Sequence, residues 1–451
     1  MWQRSQCRDI NQKMRVILFD WLIKVGDKFK LKRQTIALAL ELCNVYIHRT
    51  THSLPRTELQ IMGAGCLYLA SAYREIYMPE VRDFVYVSDE AFTKETFKKK
   101  VLQDILPLVA PCLATYTLYD KSIQEKKEDW SGYLKHVTTT ESIIHVDLLN
   151  WWETIPRSVC QETKHGKCIG HGAFASVYDM DETTVLKTYN SETDESETFN
   201  ESEIIHFIRE LANLSVLHDG PHMLQLKKVH FSHPVQIQIE HGGIQLLTFM
   251  ENKEKVPYQS FLLNWVETLQ YAEVCGIYHR DLSSKNLLIS VGKGRICDWG
   301  AARFQPVDKG IFTIQDDVGA PQYCPPEAFL KYPTTNTAYS AKVDIWSLGC
   351  NCLRLFLGNK KFEACFGKTM NICEPFIKFI GYPTEENSQE LWPLIQKEWP
   401  DEWKSTSYVE QRLDPLLKRM LCYSPSERIT LTELQQCLQI FQEIKKLKKS
   451  S

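Results

Sequence analysis

Tyr278-His279-Arg280-Asp281-Leu282-Ser283-Ser284-Lys285-Asn286 is the stretch that decides what the second half of this chain is. Asp281 is a carboxylate able to accept the proton of an attacking hydroxyl, and Asn286 is a hard oxygen ligand for Mg²⁺. A second hard ligand, Asp298, follows in Asp298-Trp299-Gly300, and Pro325-Pro326-Glu327 comes after it. Upstream, Ile169-Gly170-His171-Gly172-Ala173-Phe174-Ala175-Ser176-Val177 reads either as a glycine-rich phosphate loop, with Ala175 where a third glycine is usual, or as a plain hairpin with two glycines. Lys187, ten residues after Val177, adds weight to the first reading, because a strand there carries an ammonium to the α- and β-phosphates of a nucleotide. One phosphate-binding lysine, one base and two metal-binding oxygens, in this order along the chain, are what phosphoryl transfer from MgATP asks for.

Outward from these motifs the pattern changes. Residues 161–250 alternate short β-like runs with turns, at 172–179, 184–189, 236–240 and 244–250. Residues 251–445 return to long helical periods, and 446–451 form a basic tail that reads as a solvated end. Residues 1–110 are helical, with apolar residues at three-to-four spacing over 14–29, 34–48, 56–74 and 89–108. Between them, 111–160 is a connector with some helix, a charged run at 121–129 and the pair Trp151-Trp152. The expected architecture is multidomain: an all-α unit at 1–110, then a two-lobed α+β fold with a mostly-β lobe at 161–250 and a mostly-α lobe at 251–445.

Composition excludes several classes. Of 451 residues, 43% are apolar and 24% charged, which is the balance of a globular protein rather than a disordered or membrane-embedded one. A net charge of −3 from 53 basic and 56 acidic residues points to neither nucleic acid nor a membrane as partner. No signal peptide is visible, and the longest apolar stretch, 59–73, is shorter than the roughly 20 residues a bilayer needs. The 15 cysteines contain no C-x-x-C pair, so they read as reduced thiols of an intracellular protein, with nucleus and cytoplasm left open.

Residues 161–445 resemble the eukaryotic protein kinases, and more narrowly the cyclin-dependent kinases. The narrower likeness rests on Phe379-Ile380-Gly381-Tyr382-Pro383-Thr384-Glu385-Glu386, on Leu391-Trp392-Pro393, and on Leu416-Leu417-Lys418-Arg419-Met420-Leu421 with Pro425 and Arg428. The resemblance implies ATP and Mg²⁺ as cofactors, protein substrates, and a role in cell-cycle control. It implies Asp281 as base, Lys187 on the phosphates, Asn286 and Asp298 on the metal, and Ile169, Gly170, Gly172 and Val177 around the nucleotide. Arg428 would pair with Glu327, and Asp344 with Trp346 would mark the central helix of the larger lobe. The partner of Lys187 should be a glutamate on the first helix of the smaller lobe: Glu203 fits best and Glu201 second. Thr248 takes the place of the residue guarding the adenine pocket, with Phe249, Met250 and Glu251 as the hinge; an ordinary buried strand is the other reading.

The first half resembles the cyclin box of A- and B-type cyclins, through Met14-Arg15-Val16-Ile17-Leu18-Phe19-Asp20-Trp21-Leu22-Ile23-Lys24-Val25-Gly26, Leu67-Tyr68-Leu69-Ala70-Ser71 and the run from Tyr77 to Tyr86. Met14, Ile17, Leu18 and Trp21 lie at helix spacing and serve either a substrate-docking groove, as in cyclins, or the core. Two departures bear on the kinase contact. The lysine that follows Leu-Ala-Ser in such cyclins is Ala72 here, and the glutamate that cooperates with it is replaced by Val101. The kinase half in turn reads Phe199-Asn200-Glu201-Ser202-Glu203 where the family's P-S-T-A-I-R-E helix is expected. An interface altered on both sides is consistent with private, intramolecular pairing.

The reading is therefore an active protein kinase carrying its own cyclin-like activator. The alternative is an interaction protein that recruits or activates another kinase, its own kinase-like half being inert. Serine and threonine are favoured as targets by Gly319-Ala320-Pro321-Gln322-Tyr323, although Ser283 replaces the usual lysine of such kinases and Ala320 that lysine's threonine partner. Lys285 stands where it can supply the missing charge near the γ-phosphate. Ala173 and Phe174 lack the hydroxyls at which relatives are silenced, and Cys324 leaves no expectation of proline after the target. In the activation segment the acceptor position reads Gln315-Asp316-Asp317. Asp316 or Asp317 then orders the segment through Arg280 and Arg303 without phosphorylation, the arginine of the smaller lobe's helix being missing.

Overall fold

The computed structural model describes residues 10–51, 54–75, 77–115, 146–159, 166–189, 201–232, 234–251, 258–290, 292–304, 320–329, 340–358, 360, 416–422 and 424–449. The chain divides into two compact units, 1–218 with 225–241, and 219–224 with 242–451.

The first unit begins with helices α1 (Gln12–Lys28), α2 (Arg33–Arg49), α3 (Leu59–Arg74), α4 (Val81–Val87), α5 (Lys94–Lys99) and α6 (Leu106–Thr115). Asn11 starts α1 by accepting the Met14 N–H at 2.9 Å. Helix α3 is apolar around nearly its whole circumference and is buried along its length, the mark of a central helix. Its glycines allow the neighbours in: a β-carbon at Gly63 would stand 2.8 Å from Leu18, and one at Gly65 2.5 Å from Ile105. Tyr68, Phe84 and Phe97 close the core with mutual ring contacts of 5.7 Å.

The single helix expected over 89–108 is instead a turn followed by three helical pieces. Asp89 and Glu90 adopt left-handed backbone at φ 58° and 55°, which no helix tolerates, and the chain restarts at Thr93, whose hydroxyl accepts the Thr96 N–H at 3.1 Å. A π-helical turn, Lys100–Ile105, joins α5 to α6.

After α7 (Val146–Thr154) the same unit forms a six-stranded sheet in the order β1-β5-β6-β4-β3-β2. The strands are β1 (Arg157–Ser158), β2 (Cys168–His171), β3 (Ser176–Asp179), β4 (Thr184–Tyr189), β5 (Leu226–His230) and β6 (Val235–Glu240), with α8 (Glu201–Leu217) between β4 and β5. β5 is not among the expected strands, because Lys227 and Lys228 dilute its apolar alternation.

The second unit carries β7 (Ile244–Gln245), α9 (Leu246–Glu251), α10 (Tyr258–Val274), β8 (Ile277–Tyr278), β9 (Leu287–Ser290), β10 (Lys293–Ile296), β11 (Arg303–Phe304), α11 (Pro326–Phe329), α12 (Ala341–Leu357) and α13 (Leu431–Lys449). It contains the small sheets β10-β9-β7 and β11-β8. Helix α10 packs on β10 and α13, and α12 buries Ile345, Trp346, Leu348 and Leu353. Helix α13 runs to Lys449, so most of the basic run read as a tail is helical. The expected strand 244–250 is corrected too: only Ile244–Gln245 is extended, and Leu246–Glu251 is helix. A short apolar run without alternation fits either state, and here the helix wins.

Among the described residues no helix is long and apolar enough to cross a membrane, and none of the cysteines is in a disulfide. Residues 379–393, which carried much of the narrower kinase likeness, lie outside the described residues, as do Gln315, Asp316 and Asp317.

Candidate active site

In the second unit, the loop between β8 and β9 is built around one buried carboxylate. Asp344, in the first turn of α12, accepts the backbone N–H of His279 and of Arg280, each at 2.8 Å. Burial pushes its carboxyl up to about 6, while those two N–H bonds and the Arg280 charge pull it down. Arg280 itself sits at φ 69°, a left-handed conformation that an L-residue adopts only when its surroundings demand it. His279 fixes the other side: its Nε2 is 3.0 Å from the Cys297 carbonyl and so carries the proton, leaving Nδ1 to accept the Asp281 N–H at 3.3 Å.

Asp281 is thereby aimed and held. Its Oδ1 accepts the Ala320 N–H at 3.2 Å and its Oδ2 accepts from Asn286 Nδ2 at 3.1 Å. The backbone of Ala320 thus reaches the candidate base although its side chain lacks the usual hydroxyl. Asn286 Nδ2 also donates to the Asp281 carbonyl at 2.8 Å, so the amide's nitrogen is spent and its oxygen is the atom left for a cation. Asp298, at φ 64°, supplies the second hard donor. An amide oxygen and a carboxylate suit Mg²⁺, which takes few protein ligands and completes its shell with phosphate and water.

Around this centre, β8 pairs with β11 so that Arg303 stands opposite Tyr278, two residues before Arg280. Both arginines are buried, at 6% and 7% exposure. Ser283 is buried, and Lys285 is exposed and makes no ion pair among the described residues. Ser284 Oγ meets the Tyr323 hydroxyl at 2.7 Å, which also accepts from Arg354 at 2.6 Å. The pair implied for Arg428 is present: its two Nη atoms grip the two oxygens of Glu327, both at 2.6 Å. Its guanidinium also lies 5.0 Å from the centre of the Trp346 ring.

In the first unit, the strand register aligns Gly170, Val177, Lys187 and Ile237 in one row across β2, β3, β4 and β6. Ile169 is exposed at the loop's edge, and the loop closes with Gly172 N–H donating to Ala175 O at 2.8 Å. Lys187 Nζ is buried and 2.6 Å from Glu210 Oε2, and the Tyr189 hydroxyl donates to the same carboxylate.

This overturns Glu203 as the lysine's partner. Glu203 and Glu210 stand seven residues apart on α8 and share a face to within about 20°, so periodicity found the face and missed the turn. The missed signal was Ile208-Arg209-Glu210, the last three letters of the P-S-T-A-I-R-E pattern, which puts an arginine on α8 as well.

Thr248, Phe249, Met250 and Glu251 are corrected as well. They lie on α9, and the strand paired with the lysine strand is β6, which the chain leaves at Glu240. Neither the hinge nor the buried-strand reading holds for them.

Helix α8 rests on α6 and α3 of the helical bundle. Arg209 Nε donates to the Ala72 carbonyl at 2.8 Å and Nη2 reaches the Glu75 carbonyl at 3.5 Å. Glu201 accepts the Val81 N–H, at the start of α4, at 3.2 Å, and Tyr73 donates to Asn213 at 3.3 Å. Helix α8 thus meets the helical bundle largely through backbone groups, the carbonyls of Ala72 and Glu75 and the N–H of Val81. Trp152, wholly buried, donates to the Pro107 carbonyl of α6 at 3.0 Å, while its neighbour Trp151 stacks on His218 beyond α8, at 4.1 Å.

Of the four groove candidates on α1, Leu18 is core, 6% exposed and packed on Gly63. Ile17 is 57% exposed, and Met14 and Trp21 are half-buried. The stripe therefore splits between core and surface.

Residues 163–439 match the family model of the protein kinase domain, and residues 1–106 that of the cyclin N-terminal domain. The kinase match covers more than half of the chain, and the chain belongs to the protein kinase family, with a cyclin domain ahead of the kinase domain in one polypeptide. Similar curated proteins are A- and B-type cyclins. Cyclin-A2 of Gallus gallus is 34% identical over 142 residues, 30% of this chain and 35% of that protein. Cyclin-A1 of Homo sapiens is 42% identical over 91 residues, 20% and 19% of the two chains. The G2/mitotic-specific cyclin-B of Hydra viridissima is 41% identical over 91 residues, 20% and 23%. The chain spans about a third of the first of these and about a fifth of the other two.

Proposed function

We propose that this protein is an ATP-dependent kinase of the cyclin-dependent type that phosphorylates serine or threonine in protein substrates, with a cell-cycle role, and whose cyclin domain acts as its own activator. The observation that carries this reading is the loop 279–286, in which a buried carboxylate, a left-handed arginine and an asparagine amide together hold Asp281 as a base. MgATP, when bound, supplies the phosphoryl group and the electrophilic metal.

The chain's residues do the rest. Lys187, oriented by Glu210, holds the α- and β-phosphates, with Ile169, Gly170, Gly172 and Val177 around the nucleotide. Asn286 Oδ1 and Asp298 hold Mg²⁺. Asp281 takes the proton of the substrate hydroxyl as the phosphoryl group leaves ATP, and Lys285 neutralises charge near the γ-phosphate. Arg280 and Arg303 receive Asp316 or Asp317 of the activation segment, so the segment orders without phosphorylation. The boundaries 1–110, 111–160, 161–250 and 251–445 are proposed as the functional divisions.

The test is transfer of labelled phosphate from MgATP to a mixed serine/threonine/tyrosine peptide library by the intact chain. Transfer to serine and threonine, lost by at least about 1,000-fold in Asp281→Asn, is the expected result. Equal signal from wild type and Asp281→Asn, or none from either, favours the reading as a cyclin-like adaptor for another kinase.

A further inference from the structure

Phe174 and His206 lie face to face, with ring centroids 3.4 Å apart and planes 14° from parallel. Phe174 occupies the turn between β2 and β3 and keeps 36% of its surface exposed. His206 lies on α8 four residues before Glu210, so the two project from the same side of that helix. His206 Nδ1 donates to the Ser202 carbonyl at 2.9 Å, which sets the angle of its ring.

The base of the turn is pinned by His171, whose Nδ1 lies 3.0 Å from Ser176 Oγ and whose Nε2 lies 3.4 Å from Cys168 Sγ, but its tip is held more loosely. Among the described residues, the one backbone hydrogen bond across its tip is Gly172 to Ala175, and the β2–β3 register shifts between Cys168 and Gly170. A glycine-containing turn of this kind samples many conformations, and ordering it on a ligand costs affinity. A planar ring docked on a helix that is itself seated on the cyclin domain lowers that cost before the ligand arrives.

We propose that His206 is a positioning residue for the nucleotide loop: by stacking on Phe174 it couples the loop's closed form to the placement of α8. The inference rests on the reading of residues 169–177 as the nucleotide loop. One helix face then carries two contacts with different jobs. Glu210 orients the phosphate-binding lysine, and His206 holds the cover of the same nucleotide. Phe174 stands where a phosphorylated hydroxyl would silence relatives. A phenyl ring there keeps the loop closed and offers no acceptor for that phosphate.

The experiment compares wild type, His206→Ala, Phe174→Ala, the double variant and His206→Phe in the full chain. Calorimetry reads MgATP affinity, and steady-state assays separate KM for ATP from kcat. Each alanine variant should weaken ATP binding and raise KM about two- to tenfold. The double variant should be no worse than either single one, because both remove the same contact. His206→Phe should restore most of the loss, and kcat at saturating ATP should change less than KM. Single losses that multiply in the double variant, an unchanged ATP affinity in both, or failure of His206→Phe to rescue would overturn the proposal. Should one alanine variant fail to fold, the other still decides. A wild-type chain that binds no MgATP sinks the nucleotide-loop reading itself, and the stack's role with it.

Discussion

An ammonium with 9% of its side chain exposed survives in a protein only when a carboxylate meets it, and at Lys187 that carboxylate is Glu210. Neutralising Glu210 leaves the lysine buried without its counter-charge and free to swing from the position that phosphate binding needs. Glu210→Gln should therefore lower kcat/KM for ATP about 100-fold, or about 2.7 kcal/mol. Glu203→Gln should stay within about threefold. Steady-state assays on the two purified variants decide between them, and the reverse order would return the role to Glu203. At this scale the candidates Lys187, Asp281, Asn286 and Asp298 were legible as residues, because each is one residue type at one spacing, and the structure adds the partners that position Lys187, Asp281 and Asn286. The lysine's partner was not legible where the helix offers three glutamates, Glu201, Glu203 and Glu210, because choosing among them takes the depth at which the helix seats.

Elements were legible where one period dominates. The short β-like run Thr184–Tyr189, buried along nearly its whole length, and the three-to-four stripes of α1, α2 and α3 survive almost unchanged, whereas α4 and the breaks around α5 depend on local turns and caps. Packing between elements also moves protons. Glu41 on α2 faces Arg15 of α1 beside Asn44, and burial pushes its carboxyl up to about 7, against the Asn44 hydrogen bond and the Arg15 charge. The folded bundle then holds a proton that the unfolded chain releases near pH 4.5. Between that pH and about 7 the folded state binds more protons, so stability falls as pH rises, by on the order of 2–3 kcal/mol. Glu41→Gln removes the titrating group and should flatten that fall. Urea midpoints of the helical bundle for wild type and variant, at pH 5 and pH 8, check it. Equal pH slopes in the two would show that Glu41 titrates normally.

For the molecule as a whole, the question is how a cyclin domain lacking the usual lysine and glutamate still engages the kinase helix. The atoms recognised on the cyclin side are the carbonyls of Ala72 and Glu75 and the N–H of Val81. Every residue has such groups, so no letter in the sequence announces them, and only the departures at positions 72 and 101 were visible beforehand. Specificity then rests on the side chains of α8, and Glu201 is the most exposed of these to test. Burial raises its pKa, its bond to the Val81 N–H opposes that, and the charges of Lys98 and Lys94 lower it further. A carboxylate at the N-terminus of α4 is stabilised by the Val81 N–H and the helix dipole there, and a cation at the same place is repelled by them and by Lys98. Glu201→Arg should therefore lift the first turns of α8 from α4 and α5. Because α8 carries both Glu210 and His206, activity of the intact chain should fall at least about tenfold. Unfolding of the second unit should be unchanged, since Glu201 belongs to the first. Adding Lys98→Glu returns an opposite charge beside position 201 and should recover part of the loss, a coupling that a double-mutant cycle measures directly. A Glu201→Arg chain as active as wild type would mean that the cyclin domain is carried by the kinase without controlling it.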